Sequence, residues 1–171
     1  MPHHTHSQSK MEGACGKILD TEAPNVVIKK IHRRRRAQQR TNSLSAEEQA
    51  AMQTWAASVC RTAGFSRLFV PKAWGAEKNL YKMERIQTDT PLELAKVVDH
   101  PVRTELQQFY SFARKASIFP ADYELYIQPD GRVAMIDFDK FASWQEDGSV
   151  RFPWGLELSR DQIQQSVPFS L

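Results

Sequence analysis

The chain has 171 residues, 41% of them hydrophobic and 25% charged, with a net charge of +3. That is room for one domain around one core, and it excludes a full two-lobed enzyme of more than about 250 residues. No stretch approaches the roughly 18 apolar residues of a membrane span, and two cysteines without CxxC spacing, Cys15 and Cys60, exclude a disulfide scaffold or a four-cysteine zinc site.

Residues 1–12 are polar and carry His3, His4 and His6; they read as a disordered tail without the apolar core of a signal peptide. The expectation is a reduced intracellular protein, cytoplasmic or nuclear. Residues 13–31 read as a β-hairpin, with glycines at its entrance and the β-branched run Val26-Val27-Ile28 in its second strand. Next comes a basic connector. Residues 1–40 carry a net charge of +6 and the remainder −3, with the excess concentrated in Lys29 to Arg40. The run Arg33-Arg34-Arg35-Arg36 repels itself and must be solvated or matched to an anion, for which guanidinium–phosphate pairing is the natural chemistry. KKIHRRRR would also serve as a nuclear address.

Ser45 and Glu48 form a capping box ahead of an apolar stripe, Ala50, Ala51, Met52, Trp55, Ala56 and Val59, so a helix is predicted up to about Gly64. Leu68–Val70 and Leu80–Ile86 read as strands. Asp89 or Thr90 is expected to cap a short helix with Pro91 in its first turn, and a longer helix is predicted over about 102–116. Two Asp-Gly pairs, Asp130-Gly131 and Asp147-Gly148, predict hairpins. Trp144 and Trp154 flank the second and are expected to pair across it. A short helical pattern covers Ser159 to Gln165. The order of elements predicts an α+β fold with an antiparallel sheet.

Three features carry chemistry. Gly13 and Gly16 precede a strand that ends in Lys29, where a buried ammonium is costly unless it meets an anion; the bland alternative is a lysine that snorkels to water. The predicted helix begins with Glu47 and Glu48. Asp137 interrupts the apolar run VAMIDFDKF, which is the way to present a hard oxygen ligand to Mg²⁺ at the edge of a core; Asp139 reads as a turn cap.

Taken in order, Val26-Val27-Ile28-Lys29, Leu80-Tyr81-Lys82-Met83-Glu84-Arg85-Ile86 and Ile136-Asp137-Phe138-Asp139 resemble the strand lysine, the hinge strand and the D-F-D variant of the D-F-G segment in the protein-kinase-like superfamily, which includes aminoglycoside-phosphotransferase-like enzymes. The resemblance covers roughly residues 13–141. It implies a kinase-like domain over 13–155, with an antiparallel N-lobe sheet and one helix over about 13–88, a reduced helical C-lobe over about 89–155, and a C-terminal tail over 156–171. It also implies ATP and Mg²⁺ as cofactors. Gly13, Gly16, Lys29, Glu48 and Glu84 would lie around the nucleotide, and Asp137 and Glu124 around the metal.

The sequence departs from the family where the reaction needs a carboxylate. The catalytic Asp and the Asn five residues after it would fall at Phe119 and Glu124. Asp122 is the one nearby replacement for the acceptor-orienting base. The expectation is therefore a nucleotide-binding pseudokinase or a weak phosphotransferase acting in regulation. The alternative is a non-catalytic module that binds nucleic acid or a protein partner through Arg33–Arg36, with affinity that falls steeply with salt.

Overall fold

The computed structural model describes residues 12–13, 16–31 and 44–171 of the chain. The His3, His4 and His6 cluster, Cys15 and the Arg33–Arg36 run lie outside the described residues. The elements in chain order are β1 (Glu12–Gly13), β2 (Gly16–Asp20), β3 (Val26–Ile31), α1 (Ala46–Thr62), β4 (Leu68–Phe69), β5 (Ala73–Glu77), β6 (Leu80–Glu84), β7 (Thr90–Pro91), a 3₁₀ turn (Leu94–Asp99), α2 (Arg103–Lys115), β8 (Ile118–Phe119), β9 (Glu124–Ile127), β10 (Val133–Ile136), β11 (Ala142–Trp144), β12 (Val150–Arg151), β13 (Glu157–Leu158) and α3 (Arg160–Gln165). The fold is α+β, with mostly antiparallel sheets and few helices. No helix among the described residues is long and apolar enough to cross a membrane.

Three sheets organise the strands. The first has the order β1-β2-β3-β6-β5, the second β4-β10-β9-β7 and the third β13-β12-β11-β8. In the first, β2 and β3 form the predicted hairpin, and β3 pairs antiparallel with β6, with Lys29 directly opposite Tyr81. The connection from β3 to β5 passes through α1. Helix α1 starts on the predicted capping box: the Ser45 hydroxyl accepts from the Glu48 N–H at 3.2 Å, and the Glu48 carboxylate accepts from the Ser45 N–H at 3.1 Å. Gly64, just past the helix, takes the left-handed φ of 68° that lets the chain turn away. The buried face of α1 is not wholly apolar. Gln49 and Gln53 are fully buried alongside Ala46, Ala50, Ala56, Ala57 and Cys60, while Ala51 faces solvent.

The second sheet is built on the Asp130-Gly131 hairpin. Gly131 has φ 85°, and the Gln128 and Gly131 N–H groups close the turn on the Arg132 and Gln128 carbonyls. Strand β10, Val-Ala-Met-Ile, is buried along its whole length because it has neighbours on both edges: β9 runs antiparallel to it, and β4 parallel to it.

Three expectations need correction, and one strand went unpredicted. Thr90 and Pro91 form an edge strand against Ile127 and Tyr126 rather than a helix start, and the short helical turn begins at Leu94. An edge position suits Pro91, which has no N–H to give the ladder. Strand β5 was not legible, because Ala-Trp-Gly-Ala-Glu has neither alternation nor β-branched residues. Trp144 sits opposite Val150, not Trp154; it packs edge-on against Phe119 while Trp154 packs on Phe152. Residues 156–171 are not a loose tail: Ile163, Val167 and Phe169 join the core that holds Leu106, Phe109 and Tyr110.

Candidate functional site

The first and second sheets meet at an ion pair. Lys29 Nζ donates to Asp137 Oδ1 at 2.9 Å across a sequence separation of 108 residues. Lys29 is 9% exposed, on a face of β3 that alternates Val27, Lys29 and Ile31 inward. An ammonium on such a face is tolerated only with a counter-charge. Asp137 supplies it from the first position after β10, where the fully buried run Val133–Ile136 ends. Asp137 takes φ 75°, a left-handed conformation that non-glycine residues adopt at a cost of order 1 kcal/mol. Phe138 and Phe141 bury their rings on either side of the turn, with centroids 4.9 Å apart, and the Asp139 carbonyl accepts from the Leu44 N–H at 2.7 Å. The Asp137 backbone is thus pinned from several directions.

Burial pushes the Lys29 ammonium toward lower pKa, but its neighbours Tyr81, Asp137 and the buried Asp139, with the hydrogen bond to Asp137, outweigh it and hold it above its ordinary value. Lys29 is therefore a cation throughout the physiological range. Oδ2 of Asp137 makes no hydrogen bond among the described residues, and its side chain remains 29% exposed.

Glu124 lies directly across the β9–β10 ladder from Ile136, the residue before Asp137. One Glu124 oxygen accepts from the Tyr126 hydroxyl at 2.6 Å, and the side chain is otherwise open to solvent. Mg²⁺ is usually held by one or two protein carboxylates together with phosphate oxygens and water. Asp137, just after β10, and Glu124, on the neighbouring β9, are carboxylates of that kind. Among the described residues no group of three or more His, Cys, Asp or Glu side chains could hold a metal on its own.

The other predicted residues fall as follows. Glu48 is exposed and commits its carboxylate to the Ser45 N–H, so it serves as the helix cap. Gly13 and Gly16 face each other across the β1–β2 turn. A Cβ on Gly16 would stand 2.6 Å from the Lys30 carbonyl, so the close approach of β3 already demands glycine there. Glu84 is exposed at the end of β6, opposite Val26. Asp122 also has a left-handed backbone, φ 55°, and forms an ion pair with Lys140 at 2.9 Å, its own side chain 60% exposed. Phe119, at the position where an acceptor-orienting carboxylate would fall, is a core residue stacked edge-on with Tyr110 and Trp144.

Sequence reasoning missed Tyr81 and Gln53. The Tyr81 hydroxyl donates to Gln53 Oε1 at 3.2 Å, and Gln53 Nε2 donates to the Pro71 carbonyl at 2.8 Å. Gln49, one turn earlier on α1, donates to the Leu44 carbonyl at 2.8 Å. The only signal in the sequence was two glutamines four residues apart beside an alanine-rich stripe.

Burial also sets an expected pH response. It pushes the Cys60 thiol up to about 12 from 9.0, and the Tyr81 phenol up to about 12 from 10.0. For both groups the unfolded chain gives up its proton first. Their contribution to stability is therefore constant below about pH 9 and falls as pH rises from 9 toward 12. Urea denaturation across this range should show a declining midpoint, and Cys60→Ala should flatten the part of the decline that begins near pH 9. A midpoint that rises with pH would contradict the burial of these groups.

No protein-family model matches this chain, and no curated protein matches it in sequence.

Proposed function

We propose that this chain is a reduced protein-kinase-like module that binds a magnesium nucleotide and transfers phosphate weakly or not at all. The observation that carries the reading is the 2.9 Å pair between Lys29 and Asp137. In the kinase arrangement a strand lysine holds the nucleotide phosphates and the aspartate of the D-F-G-like segment holds the metal, so the two side chains must converge on one phosphate–metal cluster. Support also comes from the sheet order β1-β2-β3-β6-β5 with one helix inserted after β3, and from the β9–β10 hairpin that leads into Asp137.

Lys29 would neutralise phosphate oxygens, and Asp137 with Glu124 would hold Mg²⁺, which supplies charge neutralisation of the phosphates when bound. Phosphoryl transfer depends on positioning and electrostatics, so these residues account for binding. Rate requires more. A group that orients the acceptor hydroxyl must reach it with a carboxylate, and Phe119 is a buried ring. Asp122, the remaining candidate, is held by Lys140. The module is thereby equipped to bind and ill equipped to turn over.

Thermal unfolding with MgATP tests this directly. A ligand at a hundred times its Kd stabilises the native state by about 2.7 kcal/mol, and a domain of this size gains roughly 2–4 °C per kcal/mol. The expected result is a rise of roughly 5–10 °C with MgATP at saturation, a smaller rise with ATP and EDTA, and turnover well below the 1 to 100 per second, roughly, of active kinases. No rise with any magnesium nucleoside triphosphate would remove the nucleotide reading. Turnover at a kinase-like rate would remove the pseudokinase part, and Asp122→Asn should then abolish it while leaving binding intact.

A further inference from the structure

We propose that Tyr81, held from α1 and from the Pro71 carbonyl through Gln53, is the residue that positions the Lys29 side chain at the phosphate site. The inference rests on the nucleotide reading for its purpose, but its geometry stands independently. Lys29 and Tyr81 are directly opposite on the β3–β6 ladder, so their side chains leave the same face with Cβ atoms roughly 4.5–5.5 Å apart. Tyr81 and Gln53 are both fully buried.

The direction of the chain of contacts is fixed by one backbone atom. The Pro71 carbonyl can only accept, so Gln53 must present its NH₂ group there, at 2.8 Å. Its Oε1 therefore faces the Tyr81 hydroxyl, at 3.2 Å. Tyr81 has a single hydroxyl proton and gives it to Gln53, which leaves the phenolic lone pairs for a donor. The neighbouring side chain on that ladder is Lys29, whose ammonium is a donor only. Asp137 holds Lys29 from the second sheet at 2.9 Å, and Tyr81, opposite it on β6, turns those lone pairs toward it from its own sheet.

This division of labour matters for a phosphate site. Lysine is a point charge on a flexible four-carbon stem, and an ammonium a little out of place loses much of its effect on a reacting phosphate. Asp137 is also the residue best placed to take a metal. A neutral, buried hydroxyl keeps Lys29 aimed when the aspartate is engaged elsewhere. It also ties the lysine to α1 without a carboxylate, because Glu48 is committed to the helix cap.

The test uses the full chain and two readouts. In the wild type, the Tyr81 hydroxyl proton is expected as a slowly exchanging NMR resonance, with cross-relaxation to Gln53 and to the Lys29 Cε protons; absence of the Lys29 contact overturns the proposal without any variant. The Lys29 ammonium ¹⁵N–¹H signal, assigned by its loss in Lys29→Arg, is expected to broaden or disappear in Tyr81→Phe and in Gln53→Met. In Val27→Ala, a buried control on the same strand, it should persist. MgATP binding is expected to weaken roughly tenfold in both Tyr81 and Gln53 variants, the loss of a hydrogen bond to a charged group. An ammonium signal unchanged in both variants overturns the positioning role whether or not nucleotide binds. A signal lost in both, in a protein whose wild type binds no MgATP, upholds Tyr81 as the residue that orders Lys29 and overturns the nucleotide reading instead.

Discussion

Asp137→Asn is expected to destabilise the protein by about 2 kcal/mol and to abolish magnesium-dependent nucleotide stabilisation. Asparagine is the sharpest probe here because it tolerates the left-handed backbone of position 137, φ 75°, and keeps an oxygen that can accept from Lys29. Only the charge is removed. Breaking a fully buried pair costs about 3–5 kcal/mol. The smaller figure applies because Asp137 is 29% exposed and Asp139 still faces the lysine. The pair is also asymmetric: the Lys29 side chain is 11% exposed, so stranding it costs more than stranding Asp137. Lys29→Met should therefore destabilise less than Asp137→Asn. The double variant should recover most of the stability while binding no nucleotide. Urea denaturation at neutral pH measures the order; a lysine variant less stable than the aspartate variant would contradict the burial asymmetry.

Phe138→Ala is expected to be the more damaging change to the fold. The ring is fully buried in the main core and packs against Phe141 with centroids 4.9 Å apart. Removing a buried phenyl ring costs about 3–5 kcal/mol, part of it from the cavity left behind. For a domain of this size that is a fall of roughly 10 °C in melting temperature. The same ring anchors the turn that carries Asp137, so the surviving folded fraction should bind MgATP more weakly. Calorimetry and nucleotide titration at a temperature where the variant is folded separate the two effects. A loss under about 1 kcal/mol would mean that the turn is held by other contacts.

What could be read in advance was local chemistry. Ser45 heads a helix with a reciprocal cap, the short helical pattern from Ser159 forms a helix, and the Asp130-Gly131 and Asp147-Gly148 turns close as hairpins. Lys29 and Asp137 could be singled out because each is a charge set at the edge of an apolar run, which is costly without a partner. Their meeting could only be expected from the kinase resemblance, since nothing local links positions 108 residues apart. What could not be read depends on packing. Gln49 and Gln53 look like solvent-facing helix residues, yet both are buried, because backbone carbonyls at Leu44 and Pro71 wait to receive their amides. Strand β5 has weak intrinsic preference and exists because β6 offers an edge and α1 covers it. Phe119 reads simply as a hydrophobic residue until Tyr110 and Trp144 are seen against it.

The parallel pairing of β4 with β10 imposes an order on assembly. Leu68 aligns with Val133 and Phe69 with Ala134, so β4 has no ladder partner until the chain has been made through the β9–β10 hairpin. The β2–β3 and β5–β6 hairpins are local and close quickly, whereas a contact across so long a loop must first meet its entropy of closure. Until then β4 is an unmated edge and Lys29 a buried cation without its counter-ion. During synthesis, the nascent N-terminal sheet must therefore wait for the C-terminal half to emerge before its charged centre is neutralised.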